Sequence, residues 1–432
     1  MMQIFSLSSA GKSTVLQAMK RPTLNLSTYL RKVEPIIARV RQDGDSALKR
    51  YTKEFDGVDL KQIRVRKDAI EKAKRNTSPE LLASIRFAME NIEKFQNETV
   101  NASKKIQTRR GVVCWRQVRP IENAGLYVPG GTAPLVSTVL MLAIPAKLAG
   151  VKRIALCTPP QKDGSVNAGV LAACALTGID EVYAVGGAQA IAALAYGTDS
   201  IPKVEKIAGP GNAYVTAAKA LVSIDPDGAA IDMLAGPSEL LVIADETANP
   251  KCVVSDLLSQ AEHDTLSQVA LLTTSEALAN AVQSELKEQL ITLPRREIAE
   301  QSLKQSCCII TETLKEAVEL SNVYAPEHIS IQTRDPQKLV KCIQNAGSIF
   351  LGPNAPESVG DYCSGTNHVL PTSGFARTES GVSVRTFQKS MSIQSLTSEG
   401  LRTLRDATTV LARAEGLEAH ARAVDIRFQK MQ

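Results

Sequence analysis

From Gly125 onward the chain alternates short apolar runs rich in β-branched residues with longer stretches of helical spacing, a rhythm that few architectures accommodate. The runs are RIALCTPP, EVYAVGG, ELLVIAD, SQVALLTT, SCCIITE, HISIQT and GSIFLG. Strand, helix and strand repeated in this way build parallel sheets covered by helices, so the expected fold class is α/β, with two sheets rather than one. Ahead of this region, Ser27 to Phe55 and Ser78 to Gln96 carry apolar residues at helical spacing. The second opens on Ser78-Pro79-Glu80, a capping residue followed by proline in the first turn.

Composition closes several other possibilities. With 432 residues and 44% hydrophobic content the chain can bury two or three cores. Its net charge of +5 is spread along the chain and aromatics are only 4%, which argues against nucleic acid as a partner. No apolar stretch approaches the ~18 residues of a membrane span. The best, Leu135 to Leu148, is interrupted by Pro145 and Lys147. Eight cysteines show no CxxC spacing and sit mostly in apolar runs, as buried thiols of a reducing compartment do. Cys363, two residues after Asp361, reads as a bystander.

The opening segment contains SSAGKST, which looks like a phosphate-binding loop, but Ser6 stands where that motif needs glycine and no convincing strand precedes it. It is expected to be a decoy. The glycine-rich turns GLYVPGG, VGGAQA, AGPGNAY and AGPSE cluster between Gly125 and Pro237, at strand ends or helix starts where backbone N–H groups can face an anion. Singly, each reads equally as a tight turn. In AGPGNAY, Gly209 and Gly211 fit the first two glycines of a dinucleotide fingerprint, but Tyr214 occupies the third. Asp232 lies near the distance of a ribose-binding acid, and a turn or cap explains it as well.

The four histidines all fall near carboxylates or amides: Gln260 and His263 in DLLSQAEHD, Glu327-His328 in YAPEHIS, Asp361 and His368 in GDYCSGTNH, and Glu415 with His420. This pattern points to one metal or proton-transfer site assembled from distant segments. DLLSQAEHD follows Asn249-Pro250 and is expected on a helix, which sets Gln260 and His263 on one face. Imidazole nitrogen, amide oxygen and the Asp361 carboxylate together suit zinc or a similar divalent ion. Glu327-His328, behind Pro326 and opening onto a strand, can activate water and move protons near neutral pH. A charged surface turn is the alternative reading of that pair.

GLYVPGGTAPLVSTVLMLAIPAKLAG, VGGAQAIAALAYGT, KIAGPGNAYVTAAK, AIDMLAGPSELLVIAD, DLLSQAEHD, APEHISIQT and PESVGDYCSGTNHVLPTSGFAR, in this order, closely resemble the histidinol dehydrogenase family from about Arg21 to the C-terminus. The resemblance implies two Rossmann-like domains with parallel-sheet cores, an N-terminal segment (1–22) and a helical C-terminal tail (382–432). One domain would be discontinuous, 23–125 with 242–381, and carry most metal and catalytic residues; the other, 126–241, would carry cofactor contacts. It further implies a cytoplasmic homodimer whose tail reaches the partner's active site. The activity implied is oxidation of L-histidinol to L-histidine through L-histidinaldehyde, with NAD as hydride acceptor and one zinc per active site. Carried over by position, the zinc ligands would be Gln260, His263, Asp361 and His420, and the catalytic pair Glu327 and His328. Substrate contacts would be Ser238, Gln260, His263, His328, Asp361, Glu415 and His420; cofactor contacts Tyr127, Gln189 and Asn212. His368 is left with a structural role. Two other classes, a zinc hydrolase using the same cluster and a non-catalytic binding protein, are separated from this reading by NADH production.

Overall fold

The structure, a computed structural model, describes residues 1–22, 25–98, 104–130, 135–234 and 236–429. Parts of the GLYVPGG and AGPSE turns, at 131–134 and 235, lie outside the described residues. The strands are β1 (Gln3–Ser6), β2 (Ile106–Arg109), β3 (Val112–Pro120), β4 (Asn123–Tyr127), β5 (Arg153–Thr158), β6 (Glu181–Ala184), β7 (Lys206–Ala208), β8 (Ala230–Ile231), β9 (Glu239–Ala244), β10 (Gln268–Thr273), β11 (Cys307–Ile310), β12 (His328–Gln332), β13 (Ser348–Leu351) and β14 (Gln388–Leu396). All seven expected runs are strands.

Two parallel sheets form one compact unit, 1–99 with 121–387. The six-stranded sheet runs β1-β11-β10-β9-β12-β13 and the five-stranded sheet β6-β5-β4-β7-β8. In the larger sheet β9 and β10 are buried along their whole length because both faces are covered. Side chains alternate between the faces: Leu240, Val242 and Ala244 enter one core, Leu241 and Ile243 the other. Helices Pro250–Ala261, Glu276–Thr292 and Arg296–Lys304 supply the first core, Leu7–Ala18 and Leu314–Tyr324 the second. The last of these starts from a capping box in which Thr313 and Glu316 satisfy each other's backbone N–H groups. Among the described residues no helix is long and apolar enough to cross a membrane.

A second unit, 100–120 with 388–432, contains the antiparallel sheet β14-β3-β2 and helices Ser398–Ala414 and Glu418–Asp425. Gly416, at φ 75°, ends the first helix turn as expected and lets the second begin.

The fold redraws the expected divisions. Residues 1–22 are part of the six-stranded sheet, since β1 pairs with β11 and a strand therefore does precede SSAGKST. The helices between Leu26 and Asn97, expected in one domain with 242–381, bury Val33, Ile37, Ile70, Ile85 and Ile92 in the same core as Leu126, Val139 and Ile191 of the 126–241 region. Their amphipathic faces show that they must be covered but not by which sheet. Strands β2 and β3 pair with the tail strand β14, so the 23–125 stretch is itself divided.

Candidate active site

In the five-stranded sheet the first strand, β4, lies inside, and in the six-stranded sheet β9 takes that place with β1 added at the far edge. Later strands extend on both sides, so the connections leave in opposite directions on either side of one gap. Ligands of such sheets normally sit beyond the carboxyl ends of the strands at this gap. The five-stranded sheet obeys the rule. Beyond its carboxyl ends lies a cavity of about 880 Å³ lined by Tyr127, Pro129, Gly130, Pro159, Gln189 and Asn212, among others. Gly209 sits at φ 132°, where an added Cβ would collide with Tyr127 O; only glycine fits. The buried Tyr127 hydroxyl accepts the Gly187 N–H at 3.0 Å, and burial pushes its ionisation far up. Asn212 caps helix Ala213–Ile224, its Oδ1 accepting from Tyr214 N and Val215 N at 3.0 and 3.1 Å. The buried Gln189 Oε1 has no hydrogen-bond partner, and neither has Oδ2 of Asp56, which also lines the cavity.

Asp232 turns out to be structural. It forms a fully buried ion pair with Lys219 and accepts the Gly209 N–H at 2.8 Å, while Lys219 Nζ donates to Gly209 O at 2.9 Å. The pair therefore braces the AGPGN turn from beneath. Tyr214, in the third fingerprint position, packs edge-on against Tyr29 and lines the cavity.

At the six-stranded sheet the chemistry gathers at the opposite, amino ends of β9 and β12. His328 is the first residue of β12, paired in register with Leu240, and Glu327 precedes it. Both are buried. The Glu239 N–H, from the first residue of β9, donates to Glu327 Oε2 at 2.8 Å. His328 Nδ1 lies 3.2 Å from Glu239 O, 3.5 Å from Glu327 Oε2 and 3.7 Å from Glu357 Oε1, and its Nε2 is 3.5 Å from Asp361 Oδ1. Glu357 and Asp361, four apart on the helix Glu357–Tyr362, present one face to the imidazole. Phe350 stacks on the ring at 5.9 Å, and Gly360 packs against Phe350 too closely to carry a Cβ.

Gln260 reaches the same point from the last turn of helix Pro250–Ala261, whose capping Asn249 and first-turn Pro250 match the expectation. His263 does not share that helix: it lies beyond the C-terminal Ala261, its N–H bonded to Gln260 O at 3.2 Å. In one orientation of the Gln260 amide, nitrogen lies 3.3 Å from both His328 Nδ1 and Glu239 O. Turned over, it donates to Glu357 Oε1 at 2.8 Å while the oxygen accepts from Glu239 N at 3.1 Å. The first orientation sets the amide oxygen against a carboxylate, two acceptors that a bound cation would reconcile.

Electrostatics mark this cluster as strained toward a cation. Desolvation pushes the Glu327 and Glu357 carboxyls up, Glu357 strongly, despite the neighbouring imidazole. Burial disfavours charge on His328, but Glu327, Glu357 and Asp361 together hold its pKa well above the usual histidine value. Desolvation of Asp361 is outweighed by His328, His368 and His263, which draw its carboxyl down. His263, exposed at its surface, is still shifted down by desolvation first, with Asp361 opposing. His328 Nε2, Glu357 Oε2 and Asp361 Oδ1 are buried without hydrogen-bond partners. Among the described residues His328, Glu357 and Asp361 form a group whose ligand atoms lie within 4.8 Å of one another.

The structure thus brings together Gln260, Glu327, His328 and Asp361, with Ser238 immediately before Glu239. Glu415 and His420 belong to the second unit, both exposed, at the C-cap of Ser398–Ala414 and in Glu418–Asp425. His368 bridges Asp361 O at 2.8 Å and Thr138 Oγ1 at 3.1 Å, and Cys363 packs against the larger core. Glu357 and Glu239 escaped the sequence reading. The first was legible from its helical spacing to Asp361; the second acts through its main chain, which carries no signature.

A doubly wound α/β enzyme, with an acid–imidazole cluster at one sheet and a glycine-lined cavity at the other, is the class that fold and site define. The pattern of the histidinol dehydrogenase family matches residues 19–428. The chain is 48% identical over 421 residues to histidinol dehydrogenase of Bacteroides thetaiotaomicron, covering 98% of each, and 49% identical over 428 residues to that of Vibrio cholerae, covering 99% of this chain and 98% of the relative. The crystal structure of histidinol dehydrogenase from Elizabethkingia anophelis superposes with a TM-score of 0.94 at 46% identity, over 99% of this chain and 98% of that one. The chain belongs to the histidinol dehydrogenase family, and is an oxidoreductase of histidine biosynthesis.

Proposed function

We propose that this protein oxidises L-histidinol to L-histidine through L-histidinaldehyde, delivering two hydrides to NAD with one zinc in each active site. The observation carrying this reading is the buried Glu327–His328 pair, held by the Glu239 main chain beside unpartnered acceptors of Glu357 and Asp361. Residues fit both groups. Gln260, His263 and Asp361, completed by His420 from a second subunit, would hold zinc; the unpartnered Gln189 Oε1, with Tyr127 and Asn212, would face NAD. When bound, zinc supplies a Lewis-acid anchor for the nitrogens of the substrate and NAD accepts hydride. The trio His328, Glu357 and Asp361 supports a second ligand set for the ion. Retention of zinc by Glu357→Gln but not by His263→Ala decides for the first set.

With the negative charge of Glu357 and Asp361 offset by the bound cation, His328 would stand neutral and take the hydroxyl proton as the first hydride leaves. Glu327 then activates water to attack the aldehyde, and loss of the second hydride yields the carboxylate. Each alcohol consumes one water and two NAD and releases two NADH and three protons. The deep placement of both residues keeps bulk water from the aldehyde. Ser238 and Glu415 complete the substrate contacts. A homodimer in which the tail supplies Glu415 and His420 to the neighbouring subunit fits the exposure of Val410 and Leu411, 66% and 64%, on the tail helix. A cytoplasmic setting suits eight free thiols. NADH formed per histidinol, with and without a chelator, tests the reading: about two NADH, collapsing on metal removal, is expected. A ratio near one, or indifference to the chelator, overturns it.

A further inference from the structure

Arg21 stands outside every role assigned so far, yet its guanidinium touches the two backbone segments that carry the catalytic pair. Nε and Nη2 grip the Glu239 carboxylate at 2.5 and 2.8 Å, and Nη2 also donates to Tyr324 O at 2.8 Å and Ala325 O at 3.2 Å. The guanidinium lies 3.8 Å above the centre of the Tyr324 ring. Glu239 Oε1 also accepts the Ser373 N–H at 2.7 Å, so this carboxylate is fixed from two sides. Its side chain is only 3% exposed.

What Arg21 joins is informative. Glu239 begins β9 and its own N–H orients the Glu327 carboxylate, while its carbonyl meets His328 Nδ1. Tyr324 and Ala325 lead directly into Pro326, Glu327 and His328. Ala325 sits at φ 54°, a left-handed conformation that an L side chain adopts only under restraint. One planar cation thus ties the donor's residue to the strained turn that presents the acceptor. Arginine suits this task because its fork binds a carboxylate in two places and retains N–H groups for carbonyls; a lysine ammonium cannot match that geometry.

We propose, resting on the functional reading above, that Arg21 is a positioning residue for the oxidation, holding Glu239 and the Tyr324–Ala325 turn so that Glu327 is aimed at the attacking water. Its effect falls on the second half-reaction more than the first, because Glu327 takes the short bond from the Glu239 N–H at 2.8 Å, whereas His328, the proton acceptor for the alcohol, meets the Glu239 carbonyl at 3.2 Å and is also held in register by β12.

The test uses full-length, zinc-loaded enzyme carrying Arg21→Lys, which preserves the charge opposite Glu239. With histidinaldehyde as substrate kcat is expected to fall about 100-fold, the scale of a misplacement of about 1 Å. With histidinol, the burst of the first NADH is expected to fall less than about threefold, with KM for NAD and zinc content unchanged. Arg21→Ala assayed with millimolar ethylguanidinium is expected to regain part of the lost aldehyde oxidation. The double variant Arg21→Gln with Glu239→Gln removes both charges, so a purely structural ion pair predicts its recovery and positioning predicts none. Wild-type-like aldehyde oxidation in Arg21→Lys, equal losses in both halves, or recovery in the double variant overturns the proposal. A wild-type enzyme that produces no NADH from histidinol overturns instead the functional reading on which it rests.

Discussion

The two parallel sheets are built alike and gather their polar features at opposite ends. In the five-stranded sheet the cavity opens beyond the carboxyl ends, where turns rich in glycine bring backbone close to a ligand. In the six-stranded sheet Glu239, Glu327 and His328 cluster at the amino ends of β9 and β12. Amino ends supply what a glycine-lined cavity cannot. There the last turn of the returning helix Pro250–Ala261 delivers Gln260, and the chain that enters each strand carries Glu239, Glu327 and His328 into one buried cluster. One end is shaped by the absence of side chains, the other by their density.

If this division of labour is real, substitutions at the amino-end cluster should abolish turnover without weakening cofactor binding. Glu327→Gln is the sharpest case, since an amide of nearly the same shape can still accept the Glu239 N–H but cannot take a proton. Its kcat for histidinaldehyde oxidation is expected to drop about 10²–10⁴-fold, with the fluorescence-measured Kd for NAD unchanged. A folded variant with normal turnover would remove the amino-end cluster from the chemistry.

The reciprocal break is at the brace beneath the cavity. Lys219→Met strands Asp232 as an unpaired buried carboxylate, which costs about 3–5 kcal/mol and loosens the Gly209 turn. Thermal unfolding should show a large loss of Tm, and any surviving native fraction a raised KM for NAD. Adding Asp232→Leu, which removes the stranded charge, should restore most of the stability but not the KM, because the Gly209 N–H and carbonyl lose their anchors as well. Recovery of both would mean that the brace has no part in shaping the cavity.

How far these regions could be read from the sequence differs for the same reason. The strands were legible because strands buried on both faces must be continuously apolar, whereas the Glu327-His328 pair taken alone reads equally as a charged surface turn and is singled out only by the family resemblance. Gly209 is visible in the sequence only as the first glycine of an imperfect fingerprint that reads equally as a tight turn, and the structure supplies the reason for it, a conformation that only glycine tolerates. The helices from Leu26 to Asn97 showed amphipathic faces, yet a face of this kind fits any apolar surface, so their sheet was misassigned. Glu357 was four residues from a recognised acid, whereas Arg21 acts across 218 residues of chain through its fork and Glu239 across 88 through a main-chain N–H. No local pattern encodes such a contact.

A smaller effect separates cofactor contact from cofactor shape. Gln189→Leu removes the unpartnered Oε1 while keeping the volume of the side chain in the cavity wall. Loss of one hydrogen bond to the ligand should raise KM for NAD about tenfold and leave kcat within about twofold. A KM that does not move would place the cofactor's polar groups elsewhere in the cavity.

The smallest expected effect concerns the wall behind the amino-end cluster. Asp256 is buried on the helix that carries Gln260; it accepts from Gln332 Nε2 at 2.8 Å and Ser330 Oγ at 3.4 Å, and burial pushes its carboxyl from 3.8 up to about 6 against the pull of those bonds. A native pKa above the unfolded one means that the native state binds more protons between about pH 4 and 6, so this group's contribution to stability is full at the acid side and is lost as pH rises through about 6. Asp256→Asn, neutral at every pH and able to accept the Gln332 bond, should therefore leave stability unchanged near pH 4. Near pH 8 it should raise stability by about 1 kcal/mol, less than the ~3 kcal/mol ceiling of the shift because the amide replaces the carboxylate's bonds only in part. Denaturant midpoints at the two pH values measure this directly. A variant that is stabilised equally at both would show that packing, not the proton, governs this part of the wall, and that the charge crowding at the amino ends stops at Glu357.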